Sequence, residues 1–414
     1  MNKPPAAGQT PRLMNMECQS AFPRWISMIF LASLSLCLCG CHKIKNPHPE
    51  ASDTHSLCVC NYCVYNPDKP RKTKTKETKI TRYEGLVLHV LTWPNFLPKS
   101  ILNRFTEEYG AKIISGTVET NHELRNRIAQ GENWDVILGT GYTVQRMLNE
   151  NLLAELNSDN IPNLANIDPE FRSVAYDLKN KHSIPFAWGT CGIGFNFGHL
   201  DKPPRKWEDL FSPDTLIYPV LKGQLALMPS SRRAFAAALI RLGLSPNSQK
   251  MEDLTTAAKF LQEHMFSHRY KIVGTTMAEA LANRDIMMSM AMGFDVAKAH
   301  KLNPRILFSI PEDGTWISVE NFAIPKNTPP QQKILAEAFL NYLLHPTIAA
   351  EFTNYSYHAC TMSSARSYIH AEIKNGPAYM RPHELPLLLA DSEISVYQET
   401  TWQKILETSQ TQRK

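Results

Sequence analysis

The stretch LVLHVLTWPNF, Leu86–Phe96, decides how the folded part of the chain is read. Leu86–Leu91 is an apolar run of strand length, and Trp93 and Phe96 follow it on either side of a Pro-Asn turn. Pro98 then stands where it would open a helix, with Ile101, Leu102, Phe105 and Tyr109 along one face and Gly110 just past the end. Lys112–Val118 reads as a second strand. Thr120 and Glu123 form a capping-box pattern leading into HELRNRIAQ, which Gly131 stops. Trp134–Leu138 is a third strand, followed by Gly139-Thr140-Gly141-Tyr142 and another helical pattern. Strands alternating with helices make a parallel α/β sheet. Such sheets bind ligands beyond the carboxyl ends of their strands. Trp93 and Phe96 end the first strand in this reading, and Thr140 and Tyr142 end the third.

Composition sets the outer bounds. The 414 residues are 43% hydrophobic and 20% charged, enough for two domains of ordinary size. The net charge of +5 is mild, and much of the excess lies in KPRKTKTKETK, Lys69–Lys79. The rest is near neutral, which excludes the dense basic footprint of a nucleic-acid binder. Near the N-terminus Arg24 precedes WISMIFLASLSLCL, Trp25–Leu38, too short to span a bilayer and suited to a signal-peptide core. It runs into Leu38-Cys39-Gly40-Cys41, which resembles a bacterial lipobox with Cys41 as the lipidated residue. The expected layout is a signal peptide over 1–40 and a polar, proline-bearing basic tether over 41–82. The tether is a solvated spacer or a weak contact for an anionic membrane surface. Its CVCNYC motif, Cys58–Cys63, supplies three cysteines and would reach the four ligands of a closed zinc site only by enlisting His55, the one other nearby candidate. Disulfides in an oxidising envelope and idle thiols remain the other readings. No metal and no cofactor are expected.

Beyond the third strand the character changes. Ser183–Phe186 and Cys191–Phe197 read as two extended pieces around Trp188-Gly189. A second α/β series follows, with strands at Gln224–Met228 and Ile286–Met292 and helices at Arg232–Gly243 and Met251–Met265. Trp316–Pro325 is extended. Ile334, Leu335, Ala338, Phe339, Tyr342 and Leu343 form a helical stripe that Pro346 ends. Leu385–Lys414 reads as helix backing onto the second lobe. HExxH, GxSxG and phosphate-binding glycine loops are all missing from the sequence, which argues against an enzyme.

Six pieces in this order resemble a known family. They are LTWPNFLP, WDVILGTGYTVQRM (Trp134–Met147), SIPFAWGTCGIGFN (Ser183–Asn196), KGQLALMPSSRRAFAAALIRLG (Lys222–Gly243), ENFAIPKN (Glu320–Asn327) and AFLNYLLHPTIAAEF (Ala338–Phe352). Together they resemble the spermidine/putrescine-binding proteins of ABC importers, within the class of two-lobed periplasmic solute-binding proteins. The resemblance implies an α/β periplasmic-binding-protein fold with a ligand cleft between two lobes. It places lobe 1 at 83–189 and 317–367, and lobe 2 at 190–316 and 368–414. It also implies hinge closure on a small solute, a monomer, and delivery to a membrane permease.

By the same resemblance Trp93 is the first aromatic wall of the pocket. Phe96 stands where a Tyr is usual, Thr140 and Tyr142 match a lining Ser/Tyr pair, and Glu320 matches an Asp that binds an ammonium group. The departures bear on the ligand. Ser230 and Arg233 replace an acidic pair, Ala291 a pocket Trp, Ser318 the Trp before the acid, and His358 a pocket Tyr. Trp316 lies two positions before Ser318 on the same strand face. A slip of one residue would put Arg232 in place of Arg233. Read on its own, Pro229–Arg233 is a helix start with hydroxyl caps and two guanidinium groups, which suits an anion or a plain solvated cap. A polyamine remains the leading ligand. A zwitterion, an anion, iron held through tyrosines such as Tyr142, Tyr355 and Tyr357, or a transporter-independent surface lipoprotein are the alternatives.

Overall fold

The computed structural model describes residues 83–200, 202–211, 223–268, 270–376, 378–379, 388–389 and 396–411. The expected signal peptide, Cys41 and the expected tether lie outside the described residues. Among the described residues, no helix is long and apolar enough to cross a membrane.

Eleven strands appear among the described residues. The first lobe is built on β1 (Val87–Thr92), β2 (Lys112–Thr117) and β3 (Val136–Thr140), which pair in parallel in the order β2-β1-β3. β4 is Ser183–Asn196. The second lobe contains β5 (Leu225–Leu227), β6 (Lys271–Ile272), β7 (Met288–Met292) and β8 (Ile306–Ser309). β9 (Thr315–Ala323) lies antiparallel between β3 and β4. The short β10 (Ala359–Cys360) pairs with β4, and β11 (Leu388–Leu389) pairs with β9.

Local chemistry accounts for the first elements. β3, VILGT, is buried at every position, because helices cover both faces of a parallel sheet. Val136 and Leu138 enter one apolar cluster and Ile137 enters another on the opposite face. β2, at the edge, is mostly solvated and starts with Lys112. The helix Lys99–Tyr109 begins after Pro98 and ends at Gly110, whose φ of 80° only glycine adopts without strain. The helix Asn121–Ala129 is capped by Thr120, whose Oγ1 accepts from the Glu123 N–H at 3.0 Å.

The expected pair of extended pieces is one continuous strand. The first half of β4, Ser183–Thr190, pairs with β9, with a register shift between Pro185 and Ala187. Its second half pairs with β7 from Cys191 and with β8 from Ile193. The chain thus changes lobe between Thr190 and Cys191 without leaving the strand. It changes back in β9: Trp316 is in the second-lobe core, whereas Ile317 pairs with Thr190. A return to the second lobe just after Ser367 is not what the structure has. Ile369 and Ile373 still pack in the first-lobe core, and Trp402 and Ile405, on the final helix Val396–Thr411, pack in the second. Pro346 also does more than stop the helix Pro330–Leu343, because it opens the next one, Pro346–Ser356.

Candidate functional site

The turn after β1 separates its two aromatics. The Phe96 N–H donates to the Trp93 carbonyl at 3.2 Å, and Asn95 takes a left-handed φ of 55°. Phe96 is thereby sent into the first-lobe core, 4% exposed, against Phe352 at 4.8 Å and Phe322 at 6.3 Å. It backs the site rather than lining it. Trp93 stays half-buried, and its Nε1–H donates to Glu320 Oε2 at 2.8 Å.

Glu320 sits on β9 directly opposite Thr140, the last residue of β3. It is 8% exposed, and its Oε1 also accepts from the Ser318 hydroxyl at 3.3 Å. A carboxylate so enclosed needs such donors. Thr140 is buried. Its N–H donates to Asn121 Oδ1, and its hydroxyl lies 3.4 Å from that of Thr143. Gly141 follows because a Cβ there would lie 2.6 Å from the Tyr176 ring. Tyr142 is then in the first turn of the helix Gly141–Asn149.

The second lobe meets these residues at two points. Ser230 caps the helix Ser231–Arg241 by accepting from the Arg233 N–H at 3.4 Å. Arg232, in that first turn, places its guanidinium 4.3 Å from the Tyr142 ring centroid. Arg233, from the same turn, faces Met228 and the Asp295 side rather than Tyr142: its Nη1 approaches the Met228 sulfur at 3.8 Å, and its buried Nε has no hydrogen-bond partner among the described residues. The second meeting point is His358, stacked on Phe294 at 3.7 Å and 20° and edge-on to Phe96 at 5.5 Å. Burial pushes the His358 imidazole down to about 3, and the positive charge of Lys298 adds to the shift. Its Nδ1 has no hydrogen-bond partner among the described residues. Trp316, two positions before Ser318, stacks on Trp207 at 5.6 Å in the second-lobe core.

Phe294 and Asp295 are not among the residues that the sequence points to. Both lie in the first turn of the helix Gly293–Leu302, which follows β7. The rule that pointed to Thr140 and Tyr142, a strand end opening into a helix, applies equally there. Burial raises the Asp295 carboxyl to about 6 against the opposing pull of Lys298 and Arg233, while Glu279 adds to the rise. Carboxylates therefore stand on both lobes, Glu320 on one and Asp295 on the other. Of the tyrosines considered for iron, Tyr355 is 46% exposed, Tyr142 carries a guanidinium, and Tyr357 has the Lys301 ammonium 5.9 Å from its ring centroid.

Residues 100–381 match the profile of the bacterial extracellular solute-binding proteins. The chain belongs to that family. It is a binding protein and not an enzyme, and it works outside the cytoplasm. It is 25% identical over 342 residues to the putrescine-binding periplasmic protein PotF of Escherichia coli, covering 78% of this chain and 92% of that one. It is 26% identical to the spermidine/putrescine-binding periplasmic protein 1 of Haemophilus influenzae, over 78% and 86% of the two chains. Among solved structures it resembles a putative spermidine/putrescine ABC transporter protein from Listeria monocytogenes, with a TM-score of 0.70 and 27% identity over 78% of this chain and 98% of that one. These likenesses accord with the two lobes and the cleft.

Gly189 tests whether closure of this family member's lobes matters. It lies on β4 at the lobe boundary, and a Cβ there would come within 2.9 Å of the Phe294 ring. Gly189→Ala is expected to hold the lobes apart at a cost of about 1–3 kcal/mol, the usual range for overpacking. Small-angle scattering with saturating ligand should show a larger radius of gyration than wild type. An unchanged radius would mean that Phe294 moves aside freely.

Proposed function

We propose that this protein captures a small amine of the polyamine class between its lobes and delivers it to an ABC permease. In this reading it is a monomer, held at the membrane by lipid on Cys41. The observation that carries it is the Trp93–Glu320 pair, a buried carboxylate braced by an indole at the strand ends. An ammonium group laid against it gains both the carboxylate charge and an aromatic face. Thr140, Tyr142 and His358 complete the first-lobe side. Ser230, Arg233, Phe294 and Asp295 form the other, with Phe96 as backing. The names of the relatives support the ligand class.

Thermal-shift measurements on the delipidated protein test this directly, because a ligand that binds only the folded state raises the melting temperature. Putrescine or spermidine is expected to raise it. A shift with an amino acid and none with any polyamine would favour the second reading, in which the Ser230–Arg233 turn takes the carboxylate of a zwitterion.

A further inference from the structure

Arg232 and Tyr142 meet across the cleft, one from each lobe. Tyr142 begins two residues after Thr140, and Thr140 pairs with Glu320. The Tyr142 ring is therefore an aromatic face on the carboxylate side of the cleft, the kind of seat that the charged end of an amine takes. Here a guanidinium of the protein lies over it. Building on the amine reading above, we propose that Arg232 determines specificity: it occupies the Tyr142 face that a long polyamine would need for a further ammonium group, so the cleft takes short diamines and rejects triamines.

Charge counting points the same way. Glu320 and Asp295 offer two negative charges, one on each lobe, which a diamine matches. Lys298 and Arg233 already act on Asp295, and Arg232 stands over Tyr142, so little negative charge is left for a third ammonium group. Each further ammonium group adds repulsion that the partly desolvated cleft screens poorly. To seat a third cation at Tyr142, the ligand must also break the contact that joins the two lobes there.

Calorimetry with putrescine and spermidine on wild type, Arg232→Gln and Arg232→Lys tests the assignment. Gln keeps the length of the side chain and removes the charge, and Lys restores it. Wild type and Arg232→Lys are expected to prefer putrescine by about tenfold or more. Arg232→Gln is expected to bind spermidine about tenfold more tightly than wild type does, with putrescine changed less than about threefold. Wild type preferring spermidine, or an unchanged ratio in Arg232→Gln, overturns the role of Arg232 while leaving the amine reading intact. No binding of either amine to any of the three proteins overturns both. Unfolding midpoints measured in the same buffers show whether each variant is folded.

Discussion

Glu320→Gln lowers amine affinity by on the order of 30- to 1,000-fold, the range expected when one partner of an enclosed charge pair is neutralised. The substitution keeps the shape. A Gln side-chain oxygen can still accept from the Trp93 indole, so the contact that positions both residues survives. Only the charge facing the ligand is lost. The melting temperature of the ligand-free protein should therefore change little, and calorimetry should show the affinity loss in full. The reverse pattern, a destabilised protein with unaltered affinity, would make Glu320 a structural residue of β9 and move the amine site elsewhere.

His358→Asn and Asp295→Asn are expected to drive stability in opposite directions as the pH falls. The native imidazole of His358 lies at about 3 against an ordinary 6.5. Below 6.5 the unfolded chain binds a proton that the native state refuses, so this group costs stability on acidification. Between pH 8 and pH 5 the cost reaches about 2 kcal/mol. Asp295 lies at about 6 in the native state against 3.8. Between those values the native state holds a proton that the unfolded chain has released, so acidification favours the native state by about 1.4 kcal/mol over the same range. In wild type the two nearly cancel. His358→Asn should gain stability toward pH 5 and Asp295→Asn should lose it, so the two curves separate by roughly 3 kcal/mol at pH 5. Denaturant unfolding at several pH values measures this. Parallel curves for the three proteins would put both groups in contact with bulk water.

Much of this architecture was legible from residues that act locally. Gly110 and Thr120 bound their helices as their chemistry requires, and Thr140 and Tyr142 sit at the end of β3. What was not legible depended on partners far along the chain. The expected break at Trp188-Gly189 is instead continuous strand. Its glycines answer to neighbours rather than to a turn: a Cβ at Gly192 would lie 2.6 Å from Phe308, and one at Gly194 would lie 2.8 Å from Val296. Phe96 and Trp93 look alike in sequence, and only the left-handed Asn95 sends one inward and leaves the other at the cleft. Phe294 and Asp295 were not legible because the family's pocket Trp aligns with Ala291, fully buried in β7, whereas the site-facing side chains open the helix a few residues later. The choice between Arg232 and Arg233 rested on a single step of helical phase, about 100° of rotation. The structure gives each a different neighbour, Tyr142 for one and Met228 for the other.

The continuity of β4 has a consequence for how the molecule can be taken apart. One run of backbone supplies the strand beside β9 in one lobe and the strand beside β7 in the other. A cut between Thr190 and Cys191 would leave each fragment with a strand stub at a newly bared sheet edge. Such edges recruit other chains. Separately expressed halves are thus expected to aggregate rather than fold as two small domains, and heat should melt the intact protein in one cooperative transition.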